Sequence, residues 1–162
     1  MRKKITYILF LALMFGCKDS KNGTNPISFE DSIDFLVHKL DKSNVKLYED
    51  QTIVEVKFEL LDRKKCECEY SYRYGWNNSS RKISKFNLID AYYISPNKTG
   101  GGIFGVVEIR FEKESVFYGT SETWGDEVTI YTTDSDVNQI GKAFENLKNI
   151  CAKKNKSDLF SE

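Results

Sequence analysis

The sequence predicts an α+β fold, with one amphipathic helix, an antiparallel β-meander of about six or seven strands, and a closing helix. Three observations predict it. Apolar residues recur at helical spacing just after residue 28, switch to strict alternation from Val45, and return to helical spacing after residue 133. Short polar clusters of turn type separate the alternating runs. Aromatic residues make up 14% of the chain against only two prolines, a composition that favours strands over disorder.

The 162 residues amount to one domain preceded by a leader. Arg2, Lys3 and Lys4 form a basic start, and residues 5–15 (ITYILFLALMF) run apolar apart from Thr6. A helix needs about 20 apolar residues to cross a membrane, so this run has the length of a signal-peptide core instead. It ends at Met14-Phe15-Gly16-Cys17, followed at once by Lys18-Asp19-Ser20-Lys21. A small residue before a Cys at this place resembles the lipobox of bacterial lipoproteins, with Met14 where that pattern usually has Leu. The resemblance implies a signal peptide over 1–16, removed on export, and fatty acylation at Cys17. It also implies a cell-envelope location, the outer membrane of a Gram-negative cell, with the periplasmic face and the cell surface both open. A membrane partner then follows through the lipid on Cys17. Residues 17–27 form the lipidated Cys and a polar linker with Gly23 and Pro26, 28–154 the globular domain, and 155–162 a charged, frayed tail.

Inside the domain, Ser28 with Asp31 has the form of a capping box, and Phe29, Ile33, Leu36, Val37 and Leu40 make an apolar stripe, predicting a helix to about Lys42. The sole histidine, His38, falls opposite that stripe, on the solvent side. Val54, Val56, Phe58 and Leu60 are predicted to share one strand face, and Cys66, Cys68, Tyr70, Tyr72, Tyr74 and Trp76 another, with turns at 62–64 and 77–80. Residues 83–95 supply one or two more strands, and 96–102 (PNKTGGG) read as a flexible loop. Ile103, Val107, Ile109 and Phe111 share a face, with Gly105 as a bend or bulge. Segments 114–120 and 127–132 are two shorter strands, separated by the turn 121–126. Val137, Ile140, Phe144, Leu147 and Cys151, widened by Ala143 and Ile150, form the stripe of the closing helix.

A meander capped by such a helix resembles the pleckstrin-homology-like fold over 86–154. The resemblance implies a partly closed barrel and a hairpin of 103–112 with 114–120. A cystatin- or NTF2-like sheet wrapped on the first helix is the alternative architecture.

Few residues carry chemistry. Cys151 faces the sheet, and Cys66 and Cys68 point the same way from one strand, which disfavours a bond between those two. A bond from Cys151 to Cys66 or to Cys68 is one reading, and three buried thiols acting as small hydrophobes is the other. Such a bond would close about 85 residues, a constraint on the order of 4 kcal/mol in the chain-entropy view. A C-x-C pair without a second ligand pair does not make a zinc site, and no metal or other cofactor is expected. The tyrosine stripe with Trp76 reads as core rather than as a stacking platform, and Trp124 as an exposed aromatic. Arg63, Lys64 and Lys65 form a solvated turn at the place where lipid-binding pleckstrin-homology domains carry basic residues. The glycines at 100–102 lack the Lys-Ser/Thr ending of a phosphate-binding loop.

The whole chain balances 24 basic against 24 acidic residues, and the leader takes three of the bases, leaving the rest at −3. That mild acidity gives no electrostatic footprint for nucleic acid. One histidine, no G-x-S-x-G and no H-E-x-x-H leave no nucleophilic or metalloprotease pattern, so no catalytic residue is assigned. The expectation is a non-enzymatic binding module for a protein or envelope component. An envelope hydrolase using paired carboxylates and an immunity-type lipoprotein are the alternatives.

Overall fold

The computed structural model describes residues 28–41, 44–48, 51–75, 79–99 and 103–158; Cys17, the linker and Trp76 lie outside them. Among the described residues the molecule is α+β, with two helices and nine strands in two antiparallel sheets.

Helix α1 spans Phe29–Leu40 and starts where the sequence predicts. The Ser28 hydroxyl accepts from the Asp31 N–H at 3.0 Å, and the Asp31 carboxylate accepts from the Ser28 N–H at 3.2 Å. Phe29, Leu36 and Leu40 are buried along its inner face, and His38 is exposed on the other. Strands β1 (Val45–Tyr48), β2 (Gln51–Asp62), β3 (Glu67–Tyr74) and β4 (Lys82–Asn87) follow as a meander. After the 3-10 turn Leu88–Asp90 come β5 (Ala91–Lys98), β6 (Gly105–Phe111), β7 (Val116–Tyr118), β8 (Thr123–Gly125) and β9 (Glu127–Thr132). Helix α2, Val137–Asp158, closes the fold.

Several expectations need correction. The strands number nine rather than six or seven, because the presumed turn 121–126 itself contains β8 and because β1 is a separate strand. The alternation in β2 slips by one residue. Glu55 sits at a φ of 50° in a bulge, so Ile53 takes the inner position expected of Val54. Cys66 is not in a strand: it ends the turn before β3 at a φ of 53° and is buried there. Pro96 and its neighbours are strand, not loop; β5 is an edge strand, where a missing N–H costs no ladder bond. Ile103 precedes β6 and is exposed, and Phe104 is buried in its stead. Gly105 marks a close approach, since a Cβ there would lie 2.6 Å from Val137. The helical backbone of α2 runs on through 155–158, where the charge pattern predicts a frayed tail.

The largest difference is topological. The expected hairpin of 103–112 with 114–120 does not form. β6 is flanked by β5 and β9, and β7 crosses to β4 and carries β8 with it. The chain therefore divides into a six-stranded sheet, ordered β1-β2-β3-β4-β7-β8, and a three-stranded sheet, β5-β6-β9, with no closed barrel. The core lies between the sheets and α2. Phe86 meets Phe111 across the sheets, and Phe58 meets the Phe144 ring edge-on at 5.3 Å. Helix α1 packs on β2 and α2, and Asn146 donates to the buried Ser32 hydroxyl at 2.8 Å.

Candidate functional site

The chemistry of the described residues falls into two aromatic clusters and a set of thiols. The first cluster is the tyrosine stripe of β3. Tyr70 is fully buried, and its hydroxyl accepts the Tyr131 N–H at 3.0 Å, which satisfies a donor on the free edge of β9. Burial pushes its phenol well above the ordinary value. Tyr72 packs between Tyr70 and Tyr74 and meets Tyr131 edge-on at 5.4 Å, and desolvation raises its phenol as well. These rings join the two sheets. Tyr72, Tyr118 and Tyr131 border a polar cleft of about 310 Å³ beside them.

Cys66 and Cys151 are joined by a disulfide whose Cα atoms are 6.2 Å apart, tying α2 to the turn before β3. Cys68 is a buried free thiol that donates to the Cys66 carbonyl at 3.6 Å. Desolvation pushes it up to about 12, so it stays protonated and unreactive at neutral pH. The turn residues Arg63, Lys64 and Lys65 part company. Arg63 lies over the Phe29 ring and 3.4 Å from Glu30, and the Asp62 carboxylate accepts from the Lys64 and Lys65 N–H groups. Those two backbone bonds hold Asp62 below the ordinary carboxylate value. Asp136 is also held low, mainly by a 2.9 Å bond from Lys39 that pins α1 to the start of α2. Both displaced carboxylates are thus displaced downward, the opposite of a poised general acid. Among the described residues no three of His, Cys, Asp and Glu gather closely enough to hold a metal ion.

The second aromatic cluster is on the outer face of the six-stranded sheet. The register of β3, β4, β7 and β8 sets Glu69, Lys85, Phe117 and Trp124 side by side in one row. Lys85 is 3.5 Å from Glu69, and the Phe117 and Trp124 rings are 5.4 Å apart. The hairpin is tightly specified. Glu122 adopts a φ of 51° in its turn, and a Cβ on Gly125 would strike the Tyr118 ring at 2.5 Å. Because β8 is the sheet's last strand among the described residues, no further strand flanks Trp124, and the indole is 59% exposed. Beside it opens a shallow groove of about 420 Å³. Phe117 and the edge of Phe86 give it an apolar floor, and Lys65, Glu67, Lys85 and Asn87 a polar fringe.

Trp124 is therefore where the sequence places an exposed aromatic, whereas Phe117 and the groove went unforeseen. The available signal was alternation. In Val116-Phe117-Tyr118, burial of Val116 sends Phe117 to the opposite face. No protein-family model, curated protein or solved structure matches the chain, so the groove is interpreted from its own chemistry.

Proposed function

We propose that the protein is a lipid-anchored lipoprotein of the cell envelope whose domain is a non-enzymatic binding module, with the Phe117–Trp124 groove as its contact site. The anchor rests on the sequence alone: the basic start, the eleven-residue apolar run and Gly16-Cys17. On this reading the two sheets and the capping helix are an opened variant of the pleckstrin-homology-like design, which leaves outer sheet faces free for contacts. The partner is a protein or another envelope component.

The observation that carries the binding role is the exposed indole. An aromatic side chain of that size at a sheet edge forfeits burial energy in the free protein, about 25 cal/mol per Å² left in water. Trp is also the residue type most enriched among contacts that dominate binding. Here it is rigidly seated on Phe117 beside a ready-made concavity, so little ordering is needed on association.

Two measurements test the reading. Mass spectrometry of the mature protein should find a diacylated, N-acylated Cys17 as its first residue; an unmodified N-terminus elsewhere overturns the anchor. A photo-crosslinking amino acid in place of Lys65, which lines the groove, should yield one discrete adduct from the membrane-borne protein that the same probe at Lys153 does not. Identical labelling from both positions overturns the site.

A further inference from the structure

The groove does not stop at the β7–β8 hairpin. Ser115, which lines it, also lines a second open hollow of about 580 Å³ that ends on Tyr92. Tyr92 and Trp124 are the two most exposed aromatic side chains among the described residues, at 56% and 59%. The two hollows adjoin at Ser115, with Trp124 lining one and Tyr92 the other. We infer that together they form a trough that is the binding site of a neutral, linear glycan, whose successive sugars rest on Trp124 at one end and Tyr92 at the other; the inference rests on the binding reading above and names its ligand.

Three features select that ligand class. The trough is built for length, since two aromatic platforms separated by a polar stretch match a polymer rather than a single small molecule. Its charges cancel. Three lysines (Lys65, Lys85 and Lys113) and three acids (Glu67, Asp90 and Glu112) line the two hollows, so neither a polyanion nor a polycation gains by entering. What remains is a fringe that offers donors and acceptors in equal measure beside exposed ring faces. A sugar hydroxyl both donates and accepts, and the C–H face of a pyranose is apolar, so a neutral saccharide satisfies fringe and platforms together.

The experiment is calorimetric titration of the full-length protein in detergent with N-acetylglucosamine oligomers of two and six sugars, with glucose oligomers of the same lengths as a second neutral series. At least one hexamer should bind saturably and about ten-fold or more tighter than its dimer. Raising salt from 0.05 to 0.5 M should leave that affinity within about two-fold, because no net charge is neutralised. Trp124→Ala should abolish binding, and Tyr92→Ala should reduce the hexamer to the affinity of the dimer while leaving the dimer unchanged. Failure of both hexamers to bind, equal affinity for dimer and hexamer, or indifference to Tyr92→Ala overturns the glycan trough. If the hexamers fail while the crosslinker at position 65 captures a protein, the ligand assignment falls and the binding module stands. If the position-65 adduct is also absent, both fall.

Discussion

The two aromatic clusters make an instructive pair. Tyr72 and Tyr131 pack 5.4 Å apart, and so do Phe117 and Trp124. Ring spacing does not distinguish them; position in the sheet does. The tyrosines of β3 stand on a central strand and face the second sheet, so Tyr70 is sealed, Tyr72 and Tyr74 are half-buried, and the stripe carries structure. The hairpin pair stands on the outer face beside an edge strand, so it keeps one side wet and is free to carry recognition. Aromatic content alone says nothing about role, whereas the number of neighbouring layers says a great deal.

The largest expected effect is at the disulfide, which ties α2 to the turn before the tyrosine strand β3. Replacing both Cys66 and Cys151 with Ala removes the closure of an 85-residue separation and should cost about 4 kcal/mol in chain-entropy terms, read as a lowered urea midpoint. Thiol titration of the denatured, unreduced wild type should find one free thiol among Cys66, Cys68 and Cys151; three would break the staple.

A smaller effect comes from Tyr70. Tyr70→Phe keeps the ring and strands the Tyr131 N–H, which should cost about 1–3 kcal/mol. A variant as stable as the wild type would mean that this edge of β9 finds another acceptor.

Smallest is Trp124→Ala, expected within about 0.5 kcal/mol of wild type because its side chain is largely in water. Equal losses at Tyr70 and Trp124 would dissolve the distinction between the clusters; a stable Trp124→Ala protein that no longer crosslinks or binds would sharpen it.

Much of the architecture was legible in local pattern. The capping box at Ser28, the stripe from Val137 to Cys151 and the alternation of β3 all depend on residues within a few positions of one another. The misreadings share a cause as well. Glu55 and Cys66 adopt left-handed conformations that no glycine announces; the first shifts the phase of β2 and the second keeps Cys66 in the turn before β3. Pro96 suggested a loop because its tolerance depends on β5 being an edge, a property of the whole sheet. Half of the candidate site was visible, in Trp124. Tyr92 was hidden in the doublet Tyr92-Tyr93, where an irregularity at the start of β5 leaves both rings exposed, 6.4 Å apart.

By itself, the sequence determined both helices with their apolar faces and most of the strands, because periodicity and capping are short-range. Only the tertiary structure decided that β7 would leave β6 for β4, that Cys66 rather than Cys68 would meet Cys151, and that one aromatic cluster would be sealed and the other left open. Each of those outcomes depends on which strand edges and side chains meet across tens of residues, and such partnerships are settled by competition within the folded whole.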